Sequence, residues 1–369
     1  MKAIEGIGKA QDYLAARRAD ILRSLEAIAG ERGAELERAL PGGKELVERI
    51  FEYASRGKML RGSLVYLGAE LFGQADAPGL AETAAAMEFF QAGLLIHDDI
   101  MDRDEVRRGA PSVHAAYTEV ASAAGAGDPS HLGESLAICA GDVCFFEAIR
   151  LLSAVAAGVG ASGSAGGAAA ASLIALCGSE LSVVGLAQMA DCRFGELPAE
   201  PSETEILAMY RGKTARYSFS MPLAVGAALA GRDDERAAVF AIGDLAGLAF
   251  QLRDDEIGLY GDTERTGKVA GSDIRENKKT LWRARLLARA GEEDRRRLLS
   301  LYGNRDIDSL DVDHVRKLTA ALGVRSEITQ WRDTMIAEAK DLVAALDAND
   351  EGARAVLADL VEWMATRKY

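Results

Sequence analysis

Proline is almost absent from this chain. Its 369 residues contain seven prolines, at positions 41, 78, 111, 129, 198, 201 and 222, and none follows Pro222. Proline removes a backbone donor and clashes with the preceding turn, so long runs without it leave helices free to continue. Those runs are dominated by Ala, Leu, Glu and Arg, all strong helix formers. Apolar residues recur three and four apart, as in Met87, Phe90, Leu94 and in Leu245, Leu248, Leu252, and no stretch alternates at period two. The pattern predicts an all-α fold.

Breaks fall at PGGKE, GQADAPG, RRGAP, GAGDPSHLG, a Gly/Ser/Ala stretch near 160, LPAEPS and YGDTERTGKVAGSD. They predict roughly a dozen helices. No shift in composition marks a boundary and no repeat recurs at a fixed period, so residues 1–369 are expected to form a single domain with a flexible connection at about 156–172. From Leu151 to Ser179 there is no charged residue, a length that could cross a membrane. Its middle, GVGASGSAGGAAAAS, lacks large apolar side chains, so no membrane-spanning helix is expected.

The net charge of −14 argues against nucleic acid or an anionic membrane as a partner. Cys139, Cys144, Cys177 and Cys192 have no metal-ligand spacing, and the first twenty residues carry acids and no apolar signal core. A cytoplasmic protein is the expectation.

Against this acidic background two clusters carry chemistry. HDDIMDRDEVRRG places Asp98 and Asp102 four apart, on one helix face, directly after an apolar helical run. Acids late in a helix sit badly with its dipole and call for a cation. AFQLRDDEIGLYGD repeats the arrangement with Asp254 and Asp255. An isolated pair is most often a solvated helix end. Two pairs, each closing a core-type helix, would converge if the helices faced each other, and divalent ions would then be needed between them. Mg²⁺ favours carboxylate oxygens and completes its shell with substrate phosphates. Basic residues beside glycine breaks supply phosphate sites: Lys58 and Arg61 in GKMLRG, Arg107 and Arg108, Lys213 with the Thr214 hydroxyl, Lys268, and Lys278 with Lys279.

Taken together, GKMLRG, FFQAGLLIHDDIMDRDEVRRGAPSVH, GKTA and FQLRDDEIGLYGDTERTGKVAGSDIRENKKTL resemble the trans-isoprenyl diphosphate synthases, or polyprenyl synthetases, and among these the geranylgeranyl diphosphate synthases most. The resemblance implies a homodimer of helical bundles, each around a central apolar cavity, and a head-to-tail condensation of isopentenyl diphosphate with an allylic diphosphate. Three Mg²⁺ ions would assist ionisation of the allylic carbon–oxygen bond, and the isopentenyl double bond would attack the resulting cation. The released pyrophosphate would remove the final proton.

Carried over by position, the resemblance makes Asp98 and Asp102 metal ligands with Asp99 in support, and Asp254 a ligand with Asp255 acting through water. Arg107, Lys213 and Lys268 match the allylic diphosphate site. Lys58, Arg61, Arg108 and Gln91 match the isopentenyl diphosphate site. Thr214 and Gln251 match polar groups near the developing cation, and Lys278 matches a lysine of a closing loop. Two departures stand out: Gly258 replaces the third acid of the second motif, and TRKY only loosely matches a basic tail, so Arg367 and Lys368 receive no role.

Relatives that stop at fifteen carbons commonly carry aromatics four and five positions before the first aspartate. Here those positions are Leu94 and Gly93, which predicts a tunnel open past that depth. Phe90, one turn deeper, is the expected floor, with Met87 below it and Phe145 or Phe146 intruding from the facing wall. One isoprene unit extends a chain by about one helical turn of roughly 5.4 Å, so the expected product has twenty carbons. A farnesyl or longer polyprenyl product, a class I terpene cyclase and a non-catalytic prenyltransferase subunit are the alternatives. A di-iron bundle would need paired Glu-x-x-His motifs, and none occurs.

Overall fold

A computed structural model describes residues 2–160, 164–261 and 271–367. The chain divides into two compact units: residues 11–176 with 222–233, and residues 1–10, 177–221 and 234–369.

The first unit contains α1 (Lys2–Ala39) from Gln11 onward, α2 (Gly43–Ser55), α3 (Leu60–Glu70), α4 (Leu80–Asp102), α5 (Val113–Ala123), α6 (Pro129–Gly160) and most of α9 (Met221–Leu229). Helix α4 is its centre, packed along α6 and α3, and its side chains Met87, Phe90 and Ile96 are buried with Leu64, Leu67 and Leu152. Two glycines set the spacing between α3 and α9. A Cβ on Gly68 would lie 2.2 Å from the Leu223 carbonyl oxygen, and one on Gly226 would lie 2.1 Å from that of Val65, so the two backbones touch where no side chain fits.

Helix α4 ends in a way that fixes the first acidic motif. Arg103 takes a left-handed conformation at φ 57°, and the Asp104 N–H bonds back to the Asp99 carbonyl at 2.8 Å. This is the hydrogen-bond pattern that usually ends on glycine. A two-stranded ladder of β1 (Val106–Arg107) and β2 (Ala110–Pro111) follows and brings the arginine pair back toward the helix end.

The second unit contains α7 (Ser164–Glu196) from Cys177 onward, α8 (Glu203–Tyr210), a π-helical segment (Arg211–Ser220), α10 (Arg236–Tyr260), α11 (Ser272–Arg275), α12 (Leu281–Arg289), α13 (Glu292–Leu301), α14 (Ser309–Ala321), α15 (Val324–Ala345) and α16 (Glu351–Thr366). Helix α10 is the hub, against the π-helical segment, α15 and α16. Its Leu248 and Leu252 join Ile206, Trp282, Leu286, Val315 and Ile328 in one buried cluster. Here too glycine sets a close approach: a Cβ on Gly247 would meet the Ala215 Cα at 2.3 Å, and one on Gly243 the Ser220 Cα at 2.5 Å.

The all-α expectation holds, apart from the short hairpin at RRGAP that no alternation in the sequence announced. Sixteen α-helical segments occur among the described residues rather than a dozen, because the chain also turns near Gly231, Gly303 and Gly323, all at positive φ. The stretch expected as a flexible connection is helical over 156–160 and from Ser164 onward, and residues 161–163 lie outside the described residues. One described segment, Ser172–Glu196, is long and apolar enough to cross a membrane, with mean hydropathy 1.6. Two of its three acids instead pair with cations of the π-helical segment: Glu180 with Arg216 at 2.6 Å and Asp191 with Lys213 at 2.6 Å. Lipid would offer no such partners.

Candidate active site

Adjacent aspartates on a helix point about 100° apart, so a DD pair at the end of a buried helix splits into one inward and one outward acid. In the first motif Asp99 is the inward one. It is fully buried, accepts a hydrogen bond from the Tyr53 hydroxyl at 2.7 Å, and pairs with the Arg107 guanidinium. Burial pushes its carboxyl above the usual range, against the opposing pull of Arg107 and Tyr53. Asp98, partly exposed, lies 3.5 Å from the same guanidinium, and Asp104 lies 3.1 Å from it. Asp102 is exposed one turn beyond Asp98.

The second motif is built the same way. Asp255 is buried, with one oxygen accepting from the Tyr210 hydroxyl and the other from Gln251 Nε2 at 2.8 Å. The Thr214 hydroxyl donates to Gln251 Oε1 at 2.7 Å, and the Leu281 N–H donates to the Tyr210 oxygen at 3.1 Å. Three residues singled out in the sequence, Thr214, Gln251 and Asp255, therefore form one chain of hydrogen bonds. Burial, with Asp273 close by, pushes the Asp255 carboxyl up to about 8. Asp254 is the outward acid, its side chain 39% exposed, and it pairs with Arg367 at 2.7 Å.

The missing third acid has a local explanation. A Cβ on Gly258 would lie 2.5 Å from Asp273 Oδ2, so the Asp273 carboxylate already fills the space where a side chain at 258 would begin. Lys278 lies 3.9 Å from that carboxylate and 2.9 Å from Glu276.

Among the cations, Arg108 sits against the GKMLRG loop: a Cβ on Gly57 would be 3.0 Å from its Nη1. Arg18 of α1 holds this loop by donating to the carbonyls of Gly57 at 2.9 Å and Ser55 at 2.7 Å. Lys58 is exposed, whereas Arg61 and Gln91 are half-buried. Behind Arg61 and Arg108 lies a buried acid, Glu88, which accepts the Gly62 N–H at 2.8 Å. Burial raises its carboxyl, and both arginines oppose that rise. Lys213 is held by Asp191, and Lys279 is buried against the carbonyls of Leu197 and Ala199, which makes it a structural tie. Lys268 and Lys368 lie outside the described residues.

Phe90 and Met87 are buried and Leu94 is half-buried. Gly93 does not face open space. A Cβ there would meet the Phe145 ring at 2.7 Å and the Gly141 carbonyl at 2.8 Å, so the glycine makes room for Phe145 from α6. Phe146 is 65% exposed and does not intrude.

Arg18, Tyr53, Glu88, Tyr210, Asp273 and the Arg367 pair escaped sequence reasoning. None lies at a diagnostic spacing from the residue it supports. Among the described residues no three His, Cys, Asp or Glu side chains stand grouped as a ready metal cage. The acids nevertheless fit Mg²⁺: Asp98, Asp102 and Asp254 offer hard oxygens with solvent access, and this ion binds through one or two carboxylates and substrate phosphates rather than in an all-protein cage.

The polyprenyl synthetase family model matches residues 44–319. The chain is 34% identical over 300 residues to a short chain isoprenyl diphosphate synthase of Methanothermobacter thermautotrophicus, covering 78% of this chain and 80% of that one. It is 33% identical over 317 residues to a (2E,6E)-farnesyl diphosphate synthase of Mycobacterium bovis, covering 85% and 80%. Its structure is similar to that of a geranylgeranyl pyrophosphate synthase from Corynebacterium glutamicum complexed with isoprenyl diphosphate and magnesium, with a TM-score of 0.84, 29% identity, and coverage of 97% and 99%.

Proposed function

This chain belongs to the polyprenyl synthetase family and is a trans-prenyltransferase, and from that premise we propose that it condenses isopentenyl diphosphate with an allylic diphosphate to give geranylgeranyl diphosphate. The observation that carries the proposal is the paired construction of the two DD motifs, each with a buried acid held by a tyrosine and an outward acid beside an arginine.

Asp98, Asp102 and Asp254 would hold up to three Mg²⁺ ions, whose charge neutralises the departing pyrophosphate. Asp99 keeps Arg107 in place for the allylic diphosphate, with Lys213 and Lys268 as its further grips. Lys58, Arg61, Arg108 and Gln91 hold isopentenyl diphosphate. The Thr214 hydroxyl donates a hydrogen bond to Gln251 Oε1, which leaves its oxygen lone pairs for the allylic cation. Asp255 anchors that pair and keeps both amide and hydroxyl oriented while charge develops. The allylic C–O bond breaks, the new C–C bond forms from the isopentenyl double bond, and the lost proton goes to pyrophosphate.

Residues 1–369 would form one catalytic domain, and the growing chain would run along α4 below Asp98 to a floor at Phe90. A homodimer is supported by an exposed apolar stripe on α6, where Leu132, Leu136, Cys139, Phe146 and Ile149 share a face. Its four cysteines form no disulfide, which supports a cytoplasmic location.

Incubation with Mg²⁺, labelled isopentenyl diphosphate and each allylic primer tests the proposal. A twenty-carbon diphosphate is expected. No labelled prenyl product with any primer would overturn it.

A further inference from the structure

Arg367, the residue after α16, is seated on one face of α10. Its Nη2 lies 2.7 Å from Asp254 Oδ1, its guanidinium carbon lies 3.8 Å from the centre of the Phe250 ring, and its carbonyl accepts from Arg253 Nε at 2.9 Å. Phe250, Arg253 and Asp254 stand at i, i+3 and i+4, so a single helical stripe provides the ring, the donor and the carboxylate. The residue is only 9% exposed, yet its Nε is buried with no hydrogen-bond partner. A buried guanidinium donor left unsatisfied is costly. The seat thus answers the charge of Asp254 without satisfying the arginine.

We propose that Arg367 is the placeholder cation of Asp254: it neutralises that carboxylate in the metal-free protein, and a divalent ion at Asp254 excludes it from its seat. The proposal rests on Asp254 being a metal ligand, as proposed above. A carboxylate oxygen committed to a guanidinium at hydrogen-bond distance is not available to a metal, and the two cations repel. Linkage makes the effect reciprocal, so metal loading unseats residue 367 and an empty seat favours metal loading. Phe250 and Arg253 then lose their contacts with residue 367 while keeping Phe219 and Glu256, and the end of α16 is released toward solvent at the moment the site is loaded.

The test is a titration of the full chain with Mn²⁺, free ion being read by electron paramagnetic resonance without any diphosphate, combined with hydrogen exchange over residues 360–367. Arg367→Gln is expected to tighten Mn²⁺ binding by about fivefold or more, the lower end of typical site-to-site coupling. Arg367→Lys, which keeps the charge, should stay nearer the wild type. Mn²⁺ should speed exchange over 360–367 in the wild type, and Asp254→Asn should show that faster exchange with no metal. Unchanged or weaker binding in Arg367→Gln, with Asp254→Asn still losing an ion, would overturn the placeholder and leave the metal ligand standing. Undiminished Mn²⁺ binding in Asp254→Asn would overturn the ligand assignment itself.

Discussion

The Tyr53 hydroxyl donates to Oδ2 of Asp99 across 46 positions of sequence, at 2.7 Å, and the bond is fully buried. Tyr210 makes the equivalent bond to Asp255 from 45 positions away. Each tyrosine satisfies the acid that cannot reach solvent and so fixes the rotation of the helix end that presents its neighbour, Asp98 or Asp254.

Tyr53→Phe removes one donor and leaves a buried carboxylate short of a partner. The expected cost is about 1–3 kcal/mol of stability. A denaturant titration with unchanged midpoint and slope would contradict the supporting role of the bond.

Glu88 links stability to pH. Burial raises its carboxyl, only partly opposed by the Gly62 N–H and the charges of Arg61 and Arg108. An acid whose folded value is raised holds its proton more tightly when folded. Its contribution is therefore fully present below the unfolded carboxylate value near about 4.3 and is lost as pH rises through the folded value. Glu88→Gln is neutral at every pH, so its stability relative to the wild type should rise from acid to neutral pH. Parallel unfolding curves across that window check this, and a constant difference would contradict it.

Restoring the third acid should not help on its own. Gly258→Asp would bring its Cβ to 2.5 Å from Asp273 Oδ2 and place a second carboxylate there. Loss of stability and a higher Mg²⁺ requirement are expected from the single change, and recovery of both when Asp273→Ala is added. The measurement is a double-mutant cycle, in which additive effects would show that the two positions do not compete.

Phe90→Ala should lengthen the product by removing the proposed floor, and Phe145→Ala should open the space beside Gly93 that the ring now fills. Chromatographic sizing of the extracted products checks both. A chain-length distribution unchanged in both variants would place the floor elsewhere.

The sequence carried the helices and the acids well because both are local signals: apolar residues three and four apart, and carboxylates at one end of each run. It could not tell which acid of each pair turns inward. That depends on the azimuth of α4 and α10, set by remote contacts such as Gly93 against Phe145 and Gly247 against Ala215. Gly93 was legible as a gap and Phe145 or Phe146 as an intruding ring, but not that Phe145 rather than Phe146 fills the space beside Gly93, since nothing local links positions 52 apart. Arg18, Glu88 and Asp273 were missed for the same reason, each acting on a backbone or carboxylate that only folding brings near. Arg367 carries no signal in the sequence because its seat, Phe250 and Asp254, lies more than a hundred positions away.

The central claim is that the outward acids of the two motifs carry the metal-dependent ionisation. Mg²⁺-dependent turnover of labelled isopentenyl diphosphate with an allylic primer, measured for the wild type and for Asp98→Ala with helical content followed by circular dichroism, tests it most directly. The account predicts a loss of several orders of magnitude with the helical signal unchanged. Near-wild-type turnover in Asp98→Ala would contradict it.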